Sequence, residues 1–397
     1  MVLQNKRFFK SKTKKILVVN QSIGSLFFDV VFKLSKKKKV DVFTGSKFTK
    51  QFKNIKLYGA QNYINNNIFL RLITWTIFTI QLYIFLIFNK NSYKKILFVT
   101  NPPFAPLLGL IMNCRFSILI YDLYPNILRS LTRNNLLNFF INIIIFIWNV
   151  LNSFMFKKSN EIFTLSSSMS NEIKKYFRDN ITFDKKVHVV SPWTSDIKLK
   201  LKNKDIIHKS NRKKEKFKII YSGNIGLTHP LEYLVESIPD IKEYVEAYII
   251  GRGPKLQTLK LISNKLKIRA KNLEFLERID SQIKFTNFLK KGDFTVVALD
   301  QRLGGASLPS KIFNSLHLGI PIISISNKKS SLALLIEKYR CGINIEPNPD
   351  FNIKIKRFFY NISKDNKKLL DLKINALEAS QNFTSKNADL LVDLFLA

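Results

Sequence analysis

Short apolar runs rich in β-branched and aromatic residues alternate with longer helical stretches along almost the whole chain. Alternation of this kind is typical of α/β domains, because each parallel strand needs a crossover, usually a helix, before the next strand. We therefore predict two doubly wound, Rossmann-like domains that face each other. The predicted strands are Ile16–Asn20, Val40–Phe43, Lys95–Thr100, Ser117–Tyr121, Glu161–Leu165, Phe217–Tyr221, Ala247–Ile250, Leu273–Leu276, Phe294–Leu299, Pro321–Ile325 and Gly342–Ile345.

A Lys-rich segment at residues 196–216 interrupts this alternation. It has few large apolar residues and no amphipathic period, so we predict a basic linker. A length of 397 residues also fits two domains. The expected boundaries are 14–195 for an N-terminal domain, 217–375 for a C-terminal domain and 376–397 for a C-terminal helix.

The formal net charge is +37, from 65 Lys and Arg against 28 Asp and Glu. Such a field favours polyanionic partners, which include nucleic acid, anionic lipid and phosphorylated substrates. Abundant Lys, Asn, Ile and Phe leave a compositional origin of the charge open. No helix-turn-helix, RRM or zinc-finger signature is present, and we expect no nucleic-acid partner. A basic polyanion-binding protein without catalysis remains an alternative.

Cysteine and histidine usage points to a reducing compartment without metal sites. Cys114 and Cys341 are far apart and form no CxxC motif. The apolar run after the basic N-terminus is only four residues long, too short for a signal peptide. We expect a cytoplasmic protein with no cofactor and no metal, because none of the histidines has metal-ligand spacing. These histidines are His188, His208, His229 and His317.

Two uncharged apolar stretches, 134–156 and 72–88, raise the question of a membrane. The first is long enough to span a bilayer, which needs about 20 residues. It can instead be a core helix, or a helix lying in the membrane interface with Lys157 and Lys158 reaching headgroups. A helical stripe of asparagines disfavours spanning, and we expect peripheral association with the inner face of the cell membrane. The stripe consists of Asn138, Asn142, Asn149 and Asn152.

Polar and Pro-rich motifs follow two predicted strands of the first half. Thr-Asn-Pro-Pro occupies 100–103 and Tyr-Asp-Leu-Tyr-Pro occupies 121–125. The carboxyl ends of strands border the ligand crevice of doubly wound folds. Asp122 there can position an acceptor hydroxyl or act as a base, or it can simply brace a loop.

Glycine loops follow two predicted strands of the second half. Tyr-Ser-Gly-Asn-Ile-Gly occupies 221–226 and Gly-Arg-Gly-Pro occupies 251–254. Glycines let a backbone approach a phosphate, a base or a ribose, but ordinary βα turns use them too. His229 lies in the first loop and can contact ligand or serve as a packing residue. Arg278 ends the next strand on the same edge.

The segment 304–314, Gly-Gly-Ala-Ser-Leu-Pro-Ser-Lys-Ile-Phe-Asn, carries the strongest local signal. A Gly-rich turn there opens a helix whose first turn holds Ser310 and Lys311. Backbone donors and a cation at one point make a diphosphate clamp, which stabilises charge on a departing nucleotide.

Read in order, these motifs resemble the family-4 glycosyltransferases of GT-B fold. The closest likeness is to the subgroup that builds bacterial lipopolysaccharide, O-antigen and capsule. Ser-Leu-Pro-Ser-Lys at 307–311 and Leu-Gly-Ile-Pro-Ile-Ile at 318–323 complete the set, which covers roughly residues 14 to 395. The resemblance implies retaining, metal-independent transfer of a hexosyl or N-acetylhexosaminyl unit from a nucleotide-sugar to a lipid-linked glycan acceptor. It also implies that the final helix crosses back to the first domain.

The resemblance also implies roles for single residues. The implied catalytic residues are Asp122, Lys311 and Asn314. The implied donor-binding residues are Ser222, Gly223, Asn224, Gly226, Gly251, Gly253, Arg278, Ser307, Pro309, Ser310, Lys311 and Asn314. The implied acceptor-binding residues are Gly24, Pro102, Pro103, Asp122 and Tyr124.

The chain departs from the family pattern at two positions. Many members carry two glutamates eight positions apart, where this chain has Ala306 and Asn314. An asparagine can still bond a donor ribose, although more weakly than a carboxylate. A nucleotide-sugar 2-epimerase of the same fold is an alternative, which the scarcity of histidine disfavours.

Overall fold

The computed structural model describes residues 14–48, 52–64, 68–126, 135–194, 216–227, 229–279, 281–300, 305 and 308–397. The chain divides into two compact units, Met1–Leu119 and Ile120–Ala397. Residues 196–215 of the predicted linker lie outside the described part of the chain. The predicted domain boundaries stay predictions.

The strands form two parallel sheets, as predicted. The first sheet has seven strands in the order β3-β2-β1-β4-β5-β6-β7, and the second has six in the order β10-β9-β8-β11-β12-β13. The strands are β1 Lys15–Val19, β2 Val40–Thr44, β3 Ile55–Gly59, β4 Tyr93–Val99, β5 Phe116–Ile120, β6 Ile162–Thr164, β7 Val187–Val189, β8 Phe217–Ser222, β9 Val245–Ile250, β10 Leu273–Leu276, β11 Phe294–Ala298, β12 Ile322–Ile325 and β13 Gly342–Ile345.

Helices connect most of these strands, which is the expected crossover pattern. They are α1 Ser25–Lys37, α2 Ile68–Asn89, α3 Leu107–Ile111, α4 Asn135–Lys158, α5 Ser167–Lys174, α6 Asn180–Lys186, α7 Glu232–Ile241, α8 Leu256–Lys265, α9 Gln282–Leu289, α10 Lys311–His317, α11 Ser331–Tyr339, α12 Phe351–Lys364, α13 Asn366–Ser380 and α14 Lys386–Leu396.

Each sheet reverses its winding direction once. In the first sheet the chain moves outward from β1 to β3 and then returns to place β4 beside β1. The second sheet repeats this, with β11 placed beside β8. Ligands of open α/β sheets bind outside the carboxyl ends of strands at such a switch point. The loops after β1, β4, β8 and β11 are therefore the places to look for a site.

Helix α4 contains the predicted apolar stretch, and of its stripe asparagines Asn149 and Asn152 contact the protein whereas Asn142 is exposed. Asn152 is buried and donates from Nδ2 to the Tyr124 carbonyl at 2.7 Å. The Tyr176 hydroxyl donates to Asn149 Oδ1 at 2.6 Å. A surface helix of a water-soluble domain has the opposite arrangement, with the apolar stripe inward. The exposed side chains of α4 include Phe139, Ile143, Ile144, Phe146, Ile147, Val150, Leu151 and Phe154.

Helix α2 is apolar on both sides. Its inner stripe, which includes Trp75, Phe78, Leu82 and Leu86, is buried. Its exposed side chains include Phe69, Leu72, Ile73, Ile77, Ile80, Tyr83, Ile84, Ile87 and Phe88. Among the described residues, one helical segment, Phe69–Ser92, has the length and composition to cross a membrane, with a mean hydropathy of 1.7. Only 28% of its most apolar window is buried.

Candidate functional site

The loop that follows β8 is held by backbone hydrogen bonds to the neighbouring strand end. The Gly223 N–H donates to the Ile250 carbonyl at 2.8 Å, and the Ile225 N–H donates to the Arg252 carbonyl at 2.8 Å. Gly223 has φ +122°, a conformation that L side chains rarely adopt. The predicted glycine loop therefore exists, with a backbone shape that depends on glycine.

Gly251 and Gly253 hold this loop close to the one that follows β9. Both have positive φ, +148° and +156°. A Cβ on Gly251 would overlap the Gly223 carbonyl oxygen, and one on Gly253 would overlap the Ile225 carbonyl oxygen. The structure thus gives both glycines a packing role between loops. Their predicted contact with the donor stays a prediction.

Lys311, the first residue of α10, reaches into the loop after β8. The helix buries Ile312 and Phe313 in the core. The Lys311 side chain extends to Gly223, where its Nζ occupies the space that a Cβ on that residue would need. The same Nζ lies 5.1 Å from the centre of the Tyr221 ring, in cation–π geometry. Two loops that border the switch point of the second sheet therefore meet at one cation.

The positive charge of Lys311 is partly removed from water and is not balanced by a neighbouring negative charge in the described part of the chain. Among the described residues, no carboxylate forms a salt bridge with Lys311. Removal from water disfavours the ammonium form and lowers the pKa of Lys311 from its usual 10.5 to about 8. A buried charge of this kind is costly unless an anion pairs with it. The geometry therefore leaves a place for an anionic ligand beside Gly223.

Hydrogen bonds connect Tyr221 and His229 to the backbone of the loop after β8. The Tyr221 hydroxyl donates to the Asn224 carbonyl at 2.6 Å and lies 2.8 Å from His229 Nδ1. That nitrogen also lies 2.8 Å from the Asn224 carbonyl oxygen, which can only accept, so we assign its proton to Nδ1. Lys255 donates to the His229 carbonyl at 2.9 Å and pairs with Glu232 at 2.5 Å.

The His229 ring stays neutral in this setting. Burial, then the positive charge of Lys311, lower its pKa from 6.5 to about 4, against an opposing hydrogen bond to the Asn224 carbonyl. A neutral imidazole beside an ammonium adds no further positive charge to the site. The structure shows contacts of the His229 ring within the protein, and its contact with a ligand stays a prediction.

We expect acid to destabilise the protein through His229. The unfolded chain takes up this proton near pH 6.5 and the folded chain only near pH 4, so stability falls as pH falls through that window. The full difference is on the order of 2–3 kcal/mol. Thermal unfolding of wild type and His229→Asn between pH 7 and pH 4 measures it. The wild type should lose more stability than the variant, and parallel pH profiles would contradict the assignment.

For the remaining predicted donor-binding residues, the structure gives only their position and burial. Asn314 lies one turn beyond Lys311 on α10 and is half-buried, and Arg278 is exposed two residues beyond β10. Ser222 and Gly226 are buried, while Asn224 and Ser310 are exposed and Pro309 is half-buried. Ser307 and Ala306 lie outside the described residues. The structure thus brings Gly223 and Lys311 together and leaves the other predicted contacts untested.

Tyr221 and Lys255 were not predicted as site residues. Tyr221 ends a buried strand run, so its sequence context indicated only a core position. Its ring is buried, yet it faces a lysine 90 positions later in the chain. Lys255 directly follows the Gly-Arg-Gly-Pro loop, which itself contains Arg252. Its position was the only available signal.

The predicted acceptor residues of the first unit gather at its switch point. The loops after β1 and β4 are joined where the Gln21 N–H donates to the Asn101 carbonyl at 2.8 Å. Pro102 and Pro103 follow Asn101 and are buried. Gly24 is the N-cap residue of α1, and a Cβ there would meet no atom within 4 Å.

The other two predicted acceptor residues follow β5 in the second unit. Asp122 is half-buried and Tyr124 is buried. The Tyr124 ring stacks on Trp148 of α4, with 5.7 Å between ring centres. Its carbonyl accepts the bond from Asn152. The structure therefore gives Tyr124 the role of anchoring α4.

Within the described ranges, no group of three or more His, Cys, Asp or Glu side chains is placed to hold a metal ion. Cys114 and Cys341 are both free thiols. Burial raises the pKa of both, and for Cys341 the value rises to about 12. Neither thiol is therefore activated as a nucleophile.

The chain is similar to known glycosyltransferases. Residues 202–378 match the family model described as glycosyl transferases group 1. A probable glycosyltransferase of Pseudomonas aeruginosa, WbjE, is 26% identical over 130 residues. That alignment spans 32% of this chain and 32% of the relative, so this chain matches about a third of its length.

Solved structures match over nearly the whole chain. WaaG, a glycosyltransferase involved in lipopolysaccharide biosynthesis, superposes with TM-score 0.64 and 10% identity, covering 94% of this chain and 99% of WaaG. Anabaena Alr3699/HepE in complex with UDP superposes with TM-score 0.65 and 12% identity, covering 96% and 99%. HepE has also been solved in complex with UDP-glucose. At these identities the likeness shows the fold, which is GT-B, as the motifs implied.

Proposed function

Because residues 202–378 of this chain match the family model of the group 1 glycosyl transferases, we propose that it moves a sugar from a nucleotide-diphosphate-sugar to a lipid-linked glycan acceptor. The step belongs to bacterial cell-surface polysaccharide synthesis, whether lipopolysaccharide, O-antigen or capsule. Lys311 carries the proposal, because it is a half-buried cation without a carboxylate partner among the described residues, beside a glycine loop at a switch point. A diphosphate supplies the missing anion.

In the proposed reaction, the bond between the anomeric carbon and the diphosphate oxygen breaks, and the acceptor oxygen bonds to that carbon. The nucleoside diphosphate leaves with the bonding electrons. Lys311 stabilises the charge that grows on it, which is electrostatic catalysis. The acceptor proton passes to the leaving phosphate, so that transfer with retention needs no metal and no covalent nucleophile. Asn314, on the same helix, bonds the donor ribose.

The experiment is a thermal-shift panel of nucleotide-sugars, followed by product analysis. A ligand that binds only the folded state stabilises it by mass action, about 2.7 kcal/mol at one hundred times Kd. We expect one nucleotide-sugar to raise Tm, UDP-sugars being tested first because HepE binds UDP-glucose. Transfer should require a lipid-linked acceptor and persist in EDTA. Conversion of the nucleotide-sugar without acceptor would instead show an epimerase, and no shift with any donor would overturn the proposal.

The outer faces of α4 and α2 support a second part of the proposal, peripheral binding to the anionic inner face of the cell membrane. Both helices present large apolar side chains outward, and Lys157 and Lys158 end α4 on exposed positions. Apolar insertion and basic residues near anionic headgroups act together in interfacial binding. The same attachment brings the enzyme to a lipid-linked acceptor.

We expect Phe146→Ser with Phe154→Ser to weaken vesicle binding at least about 100-fold, because each Phe buried in the membrane contributes about 1.5–3 kcal/mol. Both rings are exposed, at 69% and 61%. Sedimentation with phosphatidylglycerol vesicles measures the effect. The matched control is Leu261→Ser with Ile283→Ser, also exposed and apolar in the second unit, at 68% and 75%. Equal binding by both double variants would exclude α4 as the lipid-binding face.

A further inference from the structure

A second group of uncompensated polar atoms lies in the first unit, at the switch point between β1 and β4. Asn20 and Gln21 directly follow β1 and are fully buried. Asn20 Nδ2 and Gln21 Oε1 are buried atoms without a hydrogen-bond partner among the described residues, and Arg71 Nε is a third. Buried polar atoms are nearly always paired in folded proteins. Two of these atoms lie at the switch point of the first sheet, where ligands of open α/β sheets bind.

Hydrogen bonds link Gln21 to Arg71 through Thr74, whose hydroxyl donates to the Arg71 carbonyl at 3.1 Å. Gln21 Nε2 donates to the carbonyl of Thr74 at 2.9 Å, one turn after Arg71 on α2. The Gln21 N–H donates to the Asn101 carbonyl at 2.8 Å. Trp75 Nε1 in turn donates to Asn101 Oδ1 at 3.2 Å. The first turns of α2 are therefore fixed against the loops after β1 and β4.

Trp75 orients the Arg71 guanidinium. The guanidinium carbon lies 5.2 Å from the centre of the Trp75 ring, in cation–π geometry. Tyr63 stacks on the same ring at 6.3 Å, and Phe104 meets it edge-on at 6.1 Å. A ring fixed on several sides holds the guanidinium in one orientation, which favours recognition of a planar or tetrahedral oxyanion.

The first unit offers Arg71 few carboxylates with which to pair. Residues 1–119 contain twenty Lys and Arg against two acidic residues, Asp29 and Asp41. Asp41 is engaged by Lys15 at 3.1 Å and by the Tyr93 hydroxyl at 3.0 Å. Among the described residues, Arg71 forms no salt bridge. A negatively charged ligand would complete it.

The position of Arg71 on its helix indicates whether the anion is soluble or carried on a lipid. Arg71 is the only charged residue of α2. Phe69, Leu72 and Ile73 beside it are exposed. An arginine at the end of an apolar interfacial helix lies at the level of lipid headgroups. A phosphate carried on a lipid therefore meets it more readily than a soluble anion does.

We propose that Arg71, with Asn20 and Gln21 behind it, binds a phosphate group carried on a lipid. The Arg71 N–H groups donate to phosphate oxygens. This inference rests on the proposed function, since the group bound is the phosphate of the lipid-linked acceptor or of a neighbouring anionic lipid. It assigns the acceptor an anionic group and a site in the first unit.

The test uses the full chain carrying Lys311→Ala, so that the donor site contributes no phosphate binding. The probes are phosphatidylcholine vesicles containing phosphatidic acid, the same vesicles without it, and inorganic pyrophosphate in solution. Arg71→Gln removes the guanidinium. Arg71→Lys keeps the positive charge but loses the planar set of N–H donors. Arg115→Gln is the matched control, because it removes an exposed arginine of the same unit.

We expect Arg71→Gln to weaken the phosphatidic acid contribution to vesicle binding at least tenfold relative to Arg115→Gln, with Arg71→Lys in between. Circular dichroism and Tm verify that each variant is folded. Equal phosphatidic acid dependence in Arg71→Gln and Arg115→Gln would overturn the site. Arg71-dependent binding of pyrophosphate with no vesicle effect would overturn the lipid as its source.

The result is separable from the donor proposal. With Lys311 intact, Arg71→Gln should bind UDP as wild type does, because Arg71 belongs to the other unit. A protein that binds no nucleotide but retains Arg71-dependent lipid binding would refute the transferase proposal alone. The reverse pattern would refute only the phosphate site.

Discussion

Replacing Lys311 with methionine should lower kcat by about 100- to 1000-fold, the range for removing one preorganised donor to a developing oxyanion. UDP affinity should fall by about 10- to 100-fold, because a hydrogen bond to a charged group contributes about 1.5–3 kcal/mol. The chain should remain folded, because Lys311 forms no salt bridge among the described residues. Transfer kinetics with the donor identified in the thermal-shift panel, together with calorimetric titration of UDP, measure both effects.

The same substitution should stabilise the unliganded protein. The unfolded chain takes up the lysine proton near pH 10.5 and the folded chain only near pH 8, so stability falls as pH falls through that window and the full penalty applies below pH 8. Removing the charge should therefore raise stability at pH 7 by about 1–3 kcal/mol. In the wild type, UDP binding should weaken above pH 8, because the ammonium form is lost and the diphosphate must restore it.

Lys338→Met is the matched control for Lys311. Its Nζ also lies 5.1 Å from a tyrosine ring, that of Tyr339, but on the exposed surface of α11. Loss of this charge should change neither UDP binding nor its pH dependence. If Lys311→Met and Lys338→Met behave alike, the diphosphate does not bind at Lys311, and the proposed function loses the observation that carries it.

The fold could be predicted because its strands are short and mostly buried, and several of them, such as β8, β9 and β12, have a glycine or proline next to them. All eleven predicted strands are present within two residues of their predicted bounds. The two that were missed, β3 and β7, have incompletely buried residues and occupy the two ends of the first sheet. An edge strand buries less of its surface, so its sequence shows a weaker apolar pattern.

The site could be predicted only where chemistry follows from local sequence. Gly223 and Lys311 were identified because each stands in a strand-end loop with recognisable turn residues. The Tyr221 ring beneath Lys311 depends on packing between segments 90 positions apart, which no local pattern records. The asparagines of α4 were recognised as a stripe, but only the structure shows Asn149 and Asn152 contacting tyrosines of the protein.

Gly251→Ala should be the most destabilising single substitution in the loops that follow β8 and β9. An alanine Cβ would overlap the Gly223 carbonyl oxygen, and φ +148° is a conformation that alanine rarely adopts. Strained φ alone costs about 1–3 kcal/mol, and the overlap adds to it. We expect a loss of about 3 kcal/mol or more and a fall in Tm on the order of 10 °C. UDP affinity should fall at least tenfold in the molecules that stay folded, because the clash displaces Gly223 from Lys311.

Gly59→Ala controls for the general effect of adding a methyl group to a strand-end glycine. Gly59 ends β3, its φ is not positive, and a Cβ there would meet no atom within 4 Å. Its Tm should stay close to that of wild type and its UDP affinity unchanged. If Gly251→Ala loses stability but binds UDP normally, the loop after β9 is only a structural support. If Gly251→Ala keeps both its stability and its UDP affinity, the close approach of the two loops does not determine how UDP binds. The position of Lys311 beside Gly223 would then not depend on that approach.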